Sequence, residues 1–108
     1  MGLSSLRDER IRVLASHCLG KVIDIGCGPN NYFIKNSIKN TDSLGIDCYP
    51  YEGVEILVDD MENLPYSNDS FDTVSLNVVG GHIPKSKRKS KFREFSRILK
   101  KGGKLILT

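Results

Sequence analysis

A chain of 108 residues, 39% hydrophobic and 27% charged, is bounded to a single soluble domain, residues 1–108, with a modest core. The net charge of +3 is too small to mark a nucleic-acid-binding protein, no stretch approaches the ~18 apolar residues of a membrane span, and residues 1–20 lack the apolar centre of a signal peptide. Cys18, Cys27 and Cys48 are odd in number and lack C-x-x-C spacing, which argues against a disulfide framework or a zinc site and makes a reduced cytoplasm the default location.

The first predicted element is a helix from about Ser5 to Gly20, on which Ile11, Leu14 and Cys18 recur at helical spacing. Next comes Val22-Ile-Asp-Ile-Gly-Cys-Gly-Pro-Asn-Asn31. Val22, Ile23 and Ile25 suit a parallel strand covered on both faces. Gly26 and Gly28 allow a sharp turn and close approach of the backbone to a ligand, and Pro29 suits the first turn of a helix over residues 29–38. Counted from Gly26, the dinucleotide pattern G-x-G-x-x-G would need glycine at Asn31, so that pattern fails.

Ser43-Leu-Gly-Ile-Asp47 reads as a second strand ending in an acid, 21 residues beyond Gly26. In a βαβ unit a carboxylate at that distance reaches the two ribose hydroxyls of a bound nucleoside. Cys48-Tyr-Pro-Tyr-Glu-Gly53 looks like loop, Glu55-Ile-Leu-Val58 like a third strand, and the segment from Phe71 like a fourth. A last helix over residues 86–100 places Phe92, Phe95 and Leu99 on one face, is closed by Gly102, and leads into an apolar fifth strand. Strands alternating with helices imply an α/β fold: a doubly wound, mainly parallel, Rossmann-like sheet with helices on both faces. The basic run over residues 85–91 carries no interleaved aromatic and reads as a solvated helix face, so nucleic acid is disfavoured as a partner.

Four ordered segments together resemble the class I S-adenosylmethionine (SAM) dependent methyltransferases, type-11 group. Asp24-Ile-Gly26-Cys-Gly28-Pro-Asn30 resembles motif I, D-x-G-x-G-x-G, with Asn30 in place of the third glycine. Asn enters left-handed backbone more readily than most residues, so the departure is mild. Asp59-Asp60-Met61-Glu62-Asn63-Leu64-Pro65-Tyr66 resembles D-A-E-N-L-P-F, and Phe71-Asp-Thr-Val-Ser-Leu-Asn77-Val-Val-Gly-Gly-His82-Ile-Pro84 resembles F-D-V-V-x-S-N-x-V-L-H-H-I-P. The stretch from Phe92 to Leu107 resembles the helix, glycine turn and fifth strand that follow.

The resemblance implies SAM as cofactor. Asp24 would orient its amino group, Gly26 and Gly28 would border its methionine part, Asp47 would hold the ribose, and Cys27, Asn30 and Cys48 would join the cofactor-binding set. Asp60 would accept from the adenine amino group, the Met61 N–H would meet the ring, and Asn77 would organise the backbone near the ribose. His82 follows the fourth strand, where such a histidine often lines the acceptor pocket and could orient or deprotonate a nucleophile. Family members have seven strands, and this sequence stops within the fifth, so it is expected to form the first two-thirds of the domain, without the last two strands. The implied activity is methyl transfer to a small-molecule acceptor. The alternative is a non-catalytic SAM-binding module that completes its sheet with a second copy or a partner chain along the open fifth-strand edge. A nicotinamide dehydrogenase is a distant third.

Overall fold

The computed structural model describes residues 4–76 and 85–107. Helix α1 (Ser4–His17) is followed by strand β1 (Val22–Ile25), a 3-10 turn (Pro29–Asn31) and helix α2 (Tyr32–Ser37). Strands β2 (Leu44–Asp47), β3 (Ile56–Leu57) and β4 (Phe71–Leu76) come next, then a 3-10 turn (Lys85–Lys87), helix α3 (Arg88–Ile98) and strand β5 (Leu99–Leu107). The strands form one sheet in the order β3-β2-β1-β4-β5, and each neighbouring pair is parallel. This is the doubly wound architecture expected from the sequence. Among the described residues, no helix is long and apolar enough to cross a membrane.

Side chains alternate between the faces of a strand, and here the two faces differ in chemistry. Ile23 and Ile25 of β1 share one face with Val74 and Leu76, their register partners on β4, and join a buried cluster that includes Phe95 and Ile98 of α3. Burying each of these large side chains is worth about 1.5–3 kcal/mol, so this cluster anchors α3 on the sheet. The other face of β1 and β4 carries Val22, Asp24, Thr73 and Ser75, all buried. Thr73 is locked there by the segment that leaves α1. Its Oγ1 accepts the Leu19 N–H (2.7 Å) and donates to the Leu19 carbonyl (2.9 Å). Helix α1 packs on α2, and α2 on β1.

Several boundaries differ from the sequence expectation. The α-helix after the glycine turn starts at Tyr32 and not at Pro29, because Asn30 (φ 64°) and Asn31 (φ 48°) both take left-handed backbone. The last helix stops at Ile98 because Leu99 is already paired with Phe71 of β4. The glycine turn then becomes a bulge inside β5: the register moves from Phe71↔Leu99 to Thr73↔Lys104, with Gly102 at φ 79°. Strand β3 covers only Ile56–Leu57, two residues fewer than expected. Along β5, Leu105 (38% exposed) and Leu107 (55% exposed) remain open to solvent.

Close packing between the glycine turn and β2 yields the first testable consequence. A Cβ on Gly45 would lie 1.9 Å from Asn31 Oδ1 and 2.8 Å from the Cys27 Cβ. Asn31 is itself fully buried, so it has little room to retreat. Gly45→Ala is expected to destabilise the fold by about 1–3 kcal/mol, the scale of overpacking. Chemical denaturation of the two proteins measures this; an unchanged midpoint would mean that Asn31 is free to move aside.

Candidate functional site

β1 and β4 lie side by side, but the chain runs from β1 to β2 on one side and from β4 to β5 on the other. That reversal opens a crevice at the carboxyl ends of the strands, the place where open α/β sheets take ligands. β1 ends there at Ile25. The chain turns through Gly26 (φ 76°), and the N–H groups of Gly26 and Cys27 both donate to the Ile46 carbonyl, at 2.9 and 3.0 Å. Gly28 follows at φ 72°, ψ −172°, a conformation nearly restricted to glycine. A Cβ there would meet nothing within 4 Å. Glycine at this position therefore serves the backbone angle, and the space beside it is open to a ligand.

Two carboxylates flank the turn. Asp47, at the end of β2, is 8% exposed; its Oδ2 accepts the Gly28 N–H (3.0 Å) and its Oδ1 the Tyr49 N–H (3.1 Å). It thus clamps the glycine turn to the loop after β2. Asp24 of β1 is 4% exposed and accepts the Ser75 hydroxyl at 2.8 Å. Burial pushes its carboxyl up to about 7, partly opposed by the Ser75 hydrogen bond and increased by the charge of Asp47. Cys27 is buried between them, and burial followed by the two aspartates pushes its thiol up to about 12. It is a neutral wall of the turn, not a nucleophile.

The second asparagine of the turn is a residue whose part was not foreseen. Asn31 donates from Nδ2 to Glu55 Oε1 (2.8 Å), while the Asn30 N–H donates to the Glu52 carbonyl (2.7 Å). Together they tie the turn to the approach to β3. The Asn30-Asn31 doublet, following Gly28-Pro29, was the available signal for consecutive left-handed residues. Ser75 was also missed; its signal was its alternation with Thr73 as a second small hydroxyl on a buried strand.

The type-11 methyltransferase domain family matches residues 23–107. The chain belongs to the class I SAM-dependent methyltransferases. A mouse (Mus musculus) relative named "Probable tRNA methyltransferase 9B" is 36% identical over 94 residues, covering 80% of this chain and 21% of that protein. The crystal structure of PH0226 from Pyrococcus horikoshii OT3 superimposes with a TM-score of 0.75 at 20% identity, covering 99% of this chain and 58% of that one. A Haloferax volcanii methyltransferase, in its complex with the Trm112 methyltransferase activator, superimposes with a TM-score of 0.67 at 21% identity, covering 93% of this chain and 49% of that one. The methyltransferase-family chain therefore spans about a fifth of the length of the mouse relative and about half of these structures.

The remaining expected site residues of this family member fall into two groups. Cys48 is exposed directly after Asp47. Asp60 is exposed on the turn after β3, where its Oδ1 accepts the Glu62 N–H (2.8 Å) and its carbonyl the Asn63 N–H (3.2 Å), with Met61 half-buried beside it. The Val58 N–H donates to the Asp47 carbonyl (2.9 Å), which links that turn to the end of β2. Asn77 and His82 lie outside the described residues.

Proposed function

We propose that the chain binds SAM in the crevice at the carboxyl ends of β1, β2 and β3 and supports methyl transfer to an acceptor. The observation that carries this reading is the conjunction of Asp24, the open Gly26–Gly28 turn and Asp47 at the switch point of the sheet. The residues present suit the cofactor. Asp24 offers a carboxylate to an ammonium, Gly28 leaves room for close approach, Asp47 offers acceptor oxygens to a ribose diol, and Asp60 accepts from an adenine amino group. Bound SAM supplies a methyl group on a sulfonium, whose transfer is an in-line displacement. The protein's task is then to align donor and acceptor and to exclude water.

For the acceptor, RNA has better support than a small molecule. The mouse relative carries tRNA in its name. Residues 85–93 also hold six cations and no acid, with Lys85, Lys87, Arg88 and Lys89 exposed just beyond the segment that contains His82. These cations sit near the positive end of α3, where they do little for helix stability; Lys87 pairs with Glu62, and an exposed cationic run of this kind suits phosphate contacts. A need for a partner chain also has one supporting observation: the structure of the Haloferax neighbour is of its complex with a methyltransferase activator. Methyl transfer from labelled SAM to unfractionated tRNA and to a small-molecule pool separates these readings. RNA labelling is expected. Labelling of small molecules alone would restore the simpler acceptor, and SAM binding without transfer, even with added partner, would favour the module.

Asp60 tests the adenine end of the pocket. A carboxylate only accepts at neutral pH, which suits an amino group. Asp60→Asn keeps one acceptor oxygen and is expected to lose part of the SAM affinity; Asp60→Ala is expected to lose more, about 1.5–3 kcal/mol in titration calorimetry. Unchanged affinity in both would remove Asp60 from the site.

A further inference from the structure

The turn that carries Asp60 is followed by a stretch, residues 64–70, that belongs to no helix or strand, so its backbone polar groups must find partners elsewhere. They find them on α3. Glu94, buried although charged, accepts the Leu64 N–H through Oε2. Arg97, one turn on, closes a two-pronged pair with it, Nε to Oε1 at 2.6 Å and Nη2 to Oε2 at 2.8 Å. The same guanidinium donates to the Leu64 carbonyl (3.1 Å), the Tyr66 carbonyl (2.7 Å) and Asn68 Oδ1 (3.0 Å). At the start of α3, Lys87 pairs with Glu62 at 3.2 Å. One helix thus grips the chain on and just after the Asp60 turn.

We propose that the Glu94–Arg97 pair is a positioning element for the adenine end of the SAM pocket. It fixes the chain at Leu64, whose side chain is buried in the core, so that the four residues from Asp60 to Asn63 form a turn held at both ends. On the other side that turn is held by Val58, buried and bonded to Asp47. A carboxylate on a turn pinned at both ends meets an amino group in one place. A carboxylate on a turn released at Leu64 meets it in many, and discrimination is lost before binding is. A fork of five N–H donors suits the task, because it holds several carbonyls at fixed angles; a lysine cannot. The inference rests on the reading of Asp60 as the adenine acceptor, and its test separates the two.

The probes are S-adenosylhomocysteine and its deaminated analogue, in which an oxygen replaces the adenine amino group. Wild-type protein is expected to prefer the amino form by about tenfold or more, since a site built to pair a polar group rejects its replacement. Asp60→Ala is expected to abolish the preference. Glu94→Gln and Arg97→Lys are each expected to reduce it to about twofold while the deaminated analogue binds nearly as before, and Asp60→Ala with Glu94→Gln is expected to be no worse than Asp60→Ala alone. Circular dichroism establishes that each variant is folded, and Arg97→Lys, which keeps the charge, carries the test if Glu94→Gln is not. A preference retained in the folded Glu94 and Arg97 variants but lost in Asp60→Ala would overturn the inference alone. Equal losses for both ligands would reduce the pair to a structural support and overturn it as well. No preference in the wild type would overturn the Asp60 reading, and the inference with it.

Discussion

Replacing Asp47 with alanine is expected to weaken SAM binding by about 1.5–3 kcal/mol, roughly 10- to 150-fold, the scale of a hydrogen bond to a charged group. Two losses act together. The ribose diol loses its acceptor, and the Gly28 and Tyr49 N–H groups, held at 3.0 and 3.1 Å in the wild type, lose theirs. The second loss loosens the turn proposed to border the methionine part of the cofactor, so the effect is expected to extend beyond one contact. Asp47→Asn, which keeps one acceptor oxygen, should fall between the two. Titration calorimetry reads the series directly; SAM affinity unchanged in Asp47→Ala would exclude the carboxylate from the site.

The second large effect is a pH dependence set by Asp24. Its carboxyl stands at about 7 against an ordinary 3.8, because burial disfavours the charged form. Below about 7 the carboxyl is protonated, and a ligand ammonium must displace that proton before it can pair with the carboxylate. SAM affinity is therefore expected to rise with pH up to about 7, by up to tenfold per unit, and to level off above it. In Asp24→Asn it should be weak and flat. The unliganded fold behaves in the opposite sense. A carboxyl raised on folding binds its proton more tightly in the native state than in the unfolded one, so its contribution is greatest below the ordinary value and is lost as pH rises through about 7. That loss is on the order of a few kcal/mol. Asp24→Asn should then be more stable than wild type at pH 8 while binding SAM less well. Thermal unfolding and calorimetry across pH 5–8 measure both arms. A wild-type affinity independent of pH, or an asparagine variant that is less stable at pH 8, would contradict the assignment.

How much of this was legible in the sequence depends on whether the signal was local. β1 and its glycine turn were legible because a buried strand and a reversal leave compositional marks: Val22, Ile23 and Ile25, then Gly26 and Gly28. Asp47 was legible because the length of a βαβ unit sets its distance from Gly26. The helix over residues 29–38 was overextended because a local reading sees proline at a helix start and cannot see that Asn31 fills the space above Gly45. The β5 bulge was hidden for a similar reason. Lys-Lys-Gly-Gly reads as a helix stop, and only the pairing of Leu99 with Phe71 shows the strand beginning before it. Glu94 and Arg97 stand three residues apart with opposite charge, the pattern of any surface ion pair, so nothing local singles them out. What makes them more than that is Leu64, thirty residues upstream.

On the proposed reading, SAM would lie across the ends of β1, β2 and β3. The most direct test is amide chemical-shift mapping of the ¹⁵N-labelled chain during titration with S-adenosylhomocysteine. The largest shifts are expected at Gly26, Cys27 and Gly28, at Asp47 to Tyr49, and at Asp60 and Met61, with residues of α1 little changed. Shifts centred elsewhere on the sheet, or none at saturating ligand, would contradict that reading.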